Sequence, residues 1–176
     1  MSEFDENLDY FDDADLAAPQ PLPTGTRYIG VVASVDTSQA EPGKFRKIEG
    51  KLLAAFQKRG DTRTSAPQIT VNFTAIGLAG QAKGFPDGNW SKNAKQDYFV
   101  GKEDRVGRNS LARLIRDTTG KSDEEMKQLP LIGTAKTLEK AYVTFEVTHT
   151  QGNQGAVFQN PVKIKAATSD EVAAVL

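Results

Sequence analysis

Apolar and polar residues alternate in several stretches of this chain, and each alternation predicts a strand. In residues 27–36, Ile29, Val31, Ala33 and Val35 alternate with Tyr28, Gly30, Val32 and Ser34. Gly30 inside that run predicts a bulge or a bend. Residues 68–78 alternate most cleanly, with Ile69, Val71, Phe73 and Ala75 on one face. Residues 140–148 set Val143, Phe145 and Val147 against Tyr142, Thr144 and Glu146. After the turn Gln151-Gly152-Asn153-Gln154-Gly155, residues 156–166 return as a last strand. Pro161 marks that strand as an edge or a bulge.

Helical spacing occurs elsewhere. Residues 109–119 place Leu111, Leu114 and Ile115 inward, and Gly120 is a natural stop. Ser122-Asp123-Glu124-Glu125 is a capping-box pattern that opens a second short helix, ended by Pro130. Residues 44–59 fit two templates. Phe45, Ile48, Leu52 and Phe56 have near-helical spacing, but Gly50 lies mid-run and weakens a helix by about 1 kcal/mol relative to Ala. The reading taken is a strand over 51–58, with Leu52, Ala54 and Phe56 on one face, because a small barrel needs a second strand here. Residues 80–107 read as a long irregular loop, functional if truly irregular. The resulting order is that of a mainly β, five-stranded barrel of the oligonucleotide/oligosaccharide-binding (OB) type, with a long loop and helices between strands 3 and 4. The expected organisation is a disordered acidic and Pro-rich arm at 1–23, one domain at 24–167 and a short tail at 168–176.

Charge changes this picture. The first sixteen residues hold seven acids (Glu3, Asp5, Glu6, Asp9, Asp12, Asp13, Asp15) and no Lys or Arg. The remaining residues carry 22 basic against 16 acidic side chains, so a basic body lies behind a formal charge of -1. That asymmetry points to polyanion binding, with an arm that competes for the groove or recruits partners. The absence of cysteine excludes disulfides, cysteine-zinc sites and thiol catalysis, and fits a reducing compartment. The start of the chain is acidic and no apolar run approaches the roughly 18 residues of a membrane span, so a cytoplasmic protein without membrane contact is expected.

Enzyme signatures are missing. His149 is the only histidine, no phosphate-binding Gly-rich loop or Gly-x-Ser-x-Gly elbow occurs, and the acids of the body are scattered. No catalytic residue, metal or cofactor is expected, and a nuclease is the least supported class. Binding signatures are stronger. Lys83, Trp90, Lys92, Lys95, Tyr98, Phe99, Lys102 and Arg105 interleave aromatic and basic residues within one segment. Bases stack on exposed rings for about 1–3 kcal/mol each, while Lys and Arg neutralise phosphates. The plain alternative is that Trp90 and Phe99 turn inward and anchor the loop. A second basic stretch, Lys44, Arg46, Lys47, Lys51, Lys58 and Arg59, spans the first loop and the expected second strand, both common ligand-facing parts of an OB barrel.

In layout the chain resembles the OB-fold single-stranded DNA-binding proteins encoded by bacteriophages. The likeness rests on the lead-in Leu22-Pro23-Thr24-Gly25-Thr26-Arg27-Tyr28, the helical segment 110–119 before Leu131-Ile132-Gly133, and the closing Asn160-Pro161-Val162-Lys163-Ile164. It implies binding of unpaired DNA without sequence preference, during DNA replication or recombination in a host cytoplasm. RNA stays open as a ligand, and replication or recombination proteins are the partners implied for the acidic arm. The alternative class is a structural or assembly protein that uses residues 1–23 to reach a neighbour.

Overall fold

The computed structural model describes residues 10–80, 85 and 87–176. Its centre is a five-stranded antiparallel sheet of β1 (Tyr28–Asp36), β2 (Gln68–Leu78), β3 (Asn93–Phe99), β4 (Tyr142–Gln151) and β5 (Val157–Ala166). The order is β3-β2-β1-β4-β5. Alternation builds β2 as the sequence predicts: Ile69, Val71, Phe73 and Ala75 are all buried. In β4, Val143, Phe145 and Val147 face the same core.

The expected face of β1 is corrected. Its register against β2 shifts at Ile29/Gly30 and again at Val32/Ser34. Each bulge moves the following side chains to the other face. Val32 and Val35 are therefore buried, while Ala33 is exposed. Gly30 is required at the first bulge, because a Cβ there would collide with the Phe145 ring and the Thr74 carbonyl. The bulge expected near Pro161 is also present, with Lys163 at φ 53° opposite the register shift in β4.

Two element readings are overturned, and a third segment proves to carry a helix. Residues 51–58 are not a strand: Gly50–Lys58 is a helix, α1. Gly50 is its first residue, at φ 57°, and so is not a mid-helix weakness. Leu52, Leu53 and Phe56 then share a face that packs with Ile48, Ala66 and Phe99 in a satellite core. The irregular loop at 80–107 contains β3, an edge strand too polar to show alternation. The tail at 168–176 contains a helix, α5 (Ser169–Val175), whose Thr168 and Glu171 form a capping box. Val175 of α5 packs on Gly77.

Helix α2 (Arg105–Thr119) buries Leu111, Leu114 and Ile115 and ends at Gly120, φ 70°. Gly107 lets it approach β3, because any Cβ there would overlap the Phe99 carbonyl oxygen. The capping box at Ser122 and Glu125 opens α3 (Asp123–Gln128), followed by α4 (Leu131–Lys136), which the sequence pattern did not reveal.

No hydrogen-bonded ladder joins β3 to β5 among the described residues, so the barrel expected from the element order is an open sheet. Its two edge strands nonetheless approach one another. Gln159 of β5 spans the gap: its Nε2 donates to the Ser91 and Asn93 carbonyls at 2.8 and 3.0 Å. Its Oε1 accepts from the Leu22 amide. The chain therefore joins the fold before residue 24. Gln20 and Pro21 pair in parallel with Trp90 and Ser91, and Leu22 is 0% exposed in the main core. No helix among the described residues is long and apolar enough to cross a membrane.

Candidate nucleic-acid interface

An open groove of about 770 Å³ runs over the outer face of β2 and β3. Asn72 and Thr74 of β2 and Asn93, Lys95 and Asp97 of β3 form its floor. Strand periodicity puts them there, since their neighbours Val71, Phe73 and Ala94 point into the core. The wall near Asn93 is the β4–β5 hairpin, with Thr150, Val157, Phe158 and Asn160. At the opposite end Arg46 enters from the loop that carries α1.

The floor is polar and internally bonded. Thr74 Oγ1 donates to Asn93 Oδ1 at 3.1 Å, and Asn72 Nδ2 donates to Ser34 Oγ at 3.0 Å. Across the hairpin, Asn160 Nδ2 donates to Thr150 Oγ1 at 2.7 Å. These partners fix the amide side chains while leaving further hydrogen-bonding capacity toward the groove. Arg46 donates to Gln68 Oε1 and lies 3.3 Å from Asp97 Oδ2, so its charge is largely matched there. Lys95 is exposed on the floor. Phe158 is 52% exposed on the rim, its ring packed on Gly152 so closely that no Cβ fits beneath it.

Other expected site residues divide into surface cations and anchoring aromatics. Lys47, Lys51 and Lys58 are exposed on α1 and its approach, while Lys44 is paired with Glu41 at 3.0 Å. Arg59 lies over the Phe56 ring, 4.4 Å from its centroid, and Lys92 over Phe85 at 4.8 Å. Lys102 and Arg105 are exposed at the turn into α2, away from the groove floor. Lys83 lies outside the described residues.

The three aromatic candidates differ in exposure. Tyr98 points into the core at 6% exposure, and burial pushes its hydroxyl up to about 12. It offers no face to a base. Phe99 is half-buried and meets Phe56 edge-on at 5.3 Å. Trp90 is half-buried, packed against the main core and against Gly88, where it anchors the segment before β3. The ring that does stand at the groove, Phe158, belongs to the last strand. The signal in the sequence was its place on the wet face of the hairpin, one residue from the inward Gln159.

The loop bearing α1 is held by ions. Arg63 donates to Asp104 Oδ1 at 2.6 Å and Asp61 Oδ2 at 2.8 Å, with Glu103 at 3.5 Å. The hydrogen bonds from Arg63 hold the Asp61 carboxyl down at about 2. His149 Nε2 lies 2.8 Å from the Leu22 carbonyl oxygen, a contact that ties the lead-in to β4. Among the described residues no group of three or more His, Asp or Glu is placed to hold a metal ion. No family model and no curated protein matches the chain.

Proposed function

We propose that this protein is a binding module, not an enzyme, and that it holds single-stranded DNA without sequence preference across the outer face of β2 and β3. The observation that carries this reading is the position of the groove. The order β3-β2-β1-β4-β5, with α2 between β3 and β4, is the order of an OB barrel opened between its third and fifth strands. OB folds bind oligonucleotides on the face of strands 2 and 3, between the loop joining strands 1 and 2 and the loop joining strands 4 and 5. The groove occupies that place, bounded by Arg46 on one side and the β4–β5 hairpin on the other.

The chemistry suits an unpaired strand. Phe158 supplies an exposed ring for stacking, and the amides of Asn72, Asn93 and Asn160 supply donors and acceptors for base edges. Lys95 in the groove supplies charge for phosphates, and Lys47, Lys51 and Lys58 are exposed on α1 and its approach. The layout resemblance to phage proteins extends the proposal to DNA replication or recombination.

Fluorescence-anisotropy titration of labelled oligo-dT and of a matched duplex tests it. Preference for the single strand is expected. Contacts to about four phosphates give a log-log salt slope of about -3. Absence of binding to either ligand at low salt contradicts the reading, and a preference for duplex contradicts the groove.

A further inference from the structure

A second groove, of about 510 Å³, lies between α2, α3 and the start of α4. Ile115, Met126 and Leu131 form an apolar floor, and Arg105, Arg116 and Lys127 stand around it. Arg116 is paired with Asp123 at 2.7 Å and Lys127 with Glu124 at 3.6 Å, so Arg105 and Arg108 are the lining cations without an ion pair among the described residues. It shares no lining residue with the groove on the sheet.

We propose that this groove receives the N-terminal arm of a second copy of the chain. The arm is its chemical complement. Residues 3–16 combine seven acids and no Lys or Arg with Phe4, Leu8, Tyr10, Phe11 and Leu16. Within one chain Tyr10, Phe11 and Leu16 are 80%, 81% and 72% exposed, so these three large apolar side chains are uncovered. The groove is uncovered in the same chain, with Leu129 at its lip 42% exposed. The arm joins the body at the Gln20–Trp90 pairing, after a single helical turn at Asp13–Leu16. Docking buries the arm's apolar side chains on Ile115 and Met126 and sets its acids against Arg105 and Arg108. The contact joins unlike surfaces, so it grows head to tail. Its exposed charges make it weaken as salt rises.

Sedimentation velocity of the full chain at low salt, over a range of concentrations, tests this. The groove variant is Lys127→Glu with Leu129→Ser; the arm variant is Tyr10→Ser with Phe11→Ser. All four positions are exposed, and circular dichroism checks that the fold is kept. Wild type is expected to self-associate, and each variant alone to associate about tenfold or more weakly. An equimolar mixture of the two variants is expected to regain a dimer, because an intact arm then meets an intact groove. A wild type that is monomeric throughout overturns the proposal. So does association that survives both variants, or a mixture as weak as its components. Oligo-dT affinity measured on the same samples separates this outcome from that of the DNA-binding proposal.

Discussion

Phe158 stands half exposed because Gly152 gives its ring a flat backbone to rest on, leaving the other side to solvent. A ring held in this way stacks on a base with little loss of its own freedom. Phe158→Ala is expected to weaken oligo-dT binding by about 1–3 kcal/mol, or about 5- to 150-fold, with little change in thermal stability. Anisotropy and a melting curve on the same variant check both halves. Trp90 shows the converse. Its neighbours in sequence are small and polar, so it reads as an exposed ring, yet the parallel pairing with Gln20 carries it against the core. No local pattern encodes that pairing. Asp61 carries a pH signature. Its carboxyl is held at about 2, below the ordinary value of 3.8, by hydrogen bonds from Arg63. A depressed folded-state value means that the stabilisation is complete above the ordinary value and is lost as pH falls toward 2. Acid titration is therefore expected to loosen the wild type between about pH 4 and 2. Arg63→Gln, already lacking the partner, is expected to lose less over the same window, as followed by tryptophan fluorescence.

Helix α1 and strand β3 are the elements where local pattern and structure part. Of the Phe45, Ile48, Leu52 and Phe56 spacing only Leu52 and Phe56 lie in the helix, since Arg46–Lys47 pairs as a short strand and the helix starts at Gly50. Burial of Phe56 against Ile48, Ala66 and Phe99 decides in favour of the helix. Phe56→Ala is expected to cost about 3–5 kcal/mol of local stability. Hydrogen exchange should show α1 opening well before the five-stranded sheet, since the satellite core is separate from the main one. Equal protection of α1 in variant and wild type contradicts this account of its packing. Strand β3 was hidden for a different reason. Of its residues only Ala94 and Tyr98 are buried, because it is an edge strand with a wet outer face. That wet face is the groove floor, so the feature that hid the strand is the one proposed to bind. Strands β2 and β4, helix α2 and the capping box of α3 were legible because each carries a full local period or cap. The Thr168–Glu171 box of α5 has the same signature and was readable too.

For the molecule as a whole, one side chain holds the two edges of the sheet together. Gln159 satisfies the Leu22 amide and two carbonyls near β3, and is itself 8% exposed. Gln159→Ala leaves those groups unpaired and is expected to cost about 1–3 kcal/mol in urea denaturation. It should also weaken oligo-dT binding, since the same contacts set the distance between Phe158 and β3. The measurement that tests the central claim most directly is hydrogen–deuterium exchange of the full chain with and without oligo-dT. Protection is expected in residues 70–75, 93–97 and 157–160, the strands that floor and wall the groove. Protection confined to α2 and α3, or none at saturating oligonucleotide, would contradict the account.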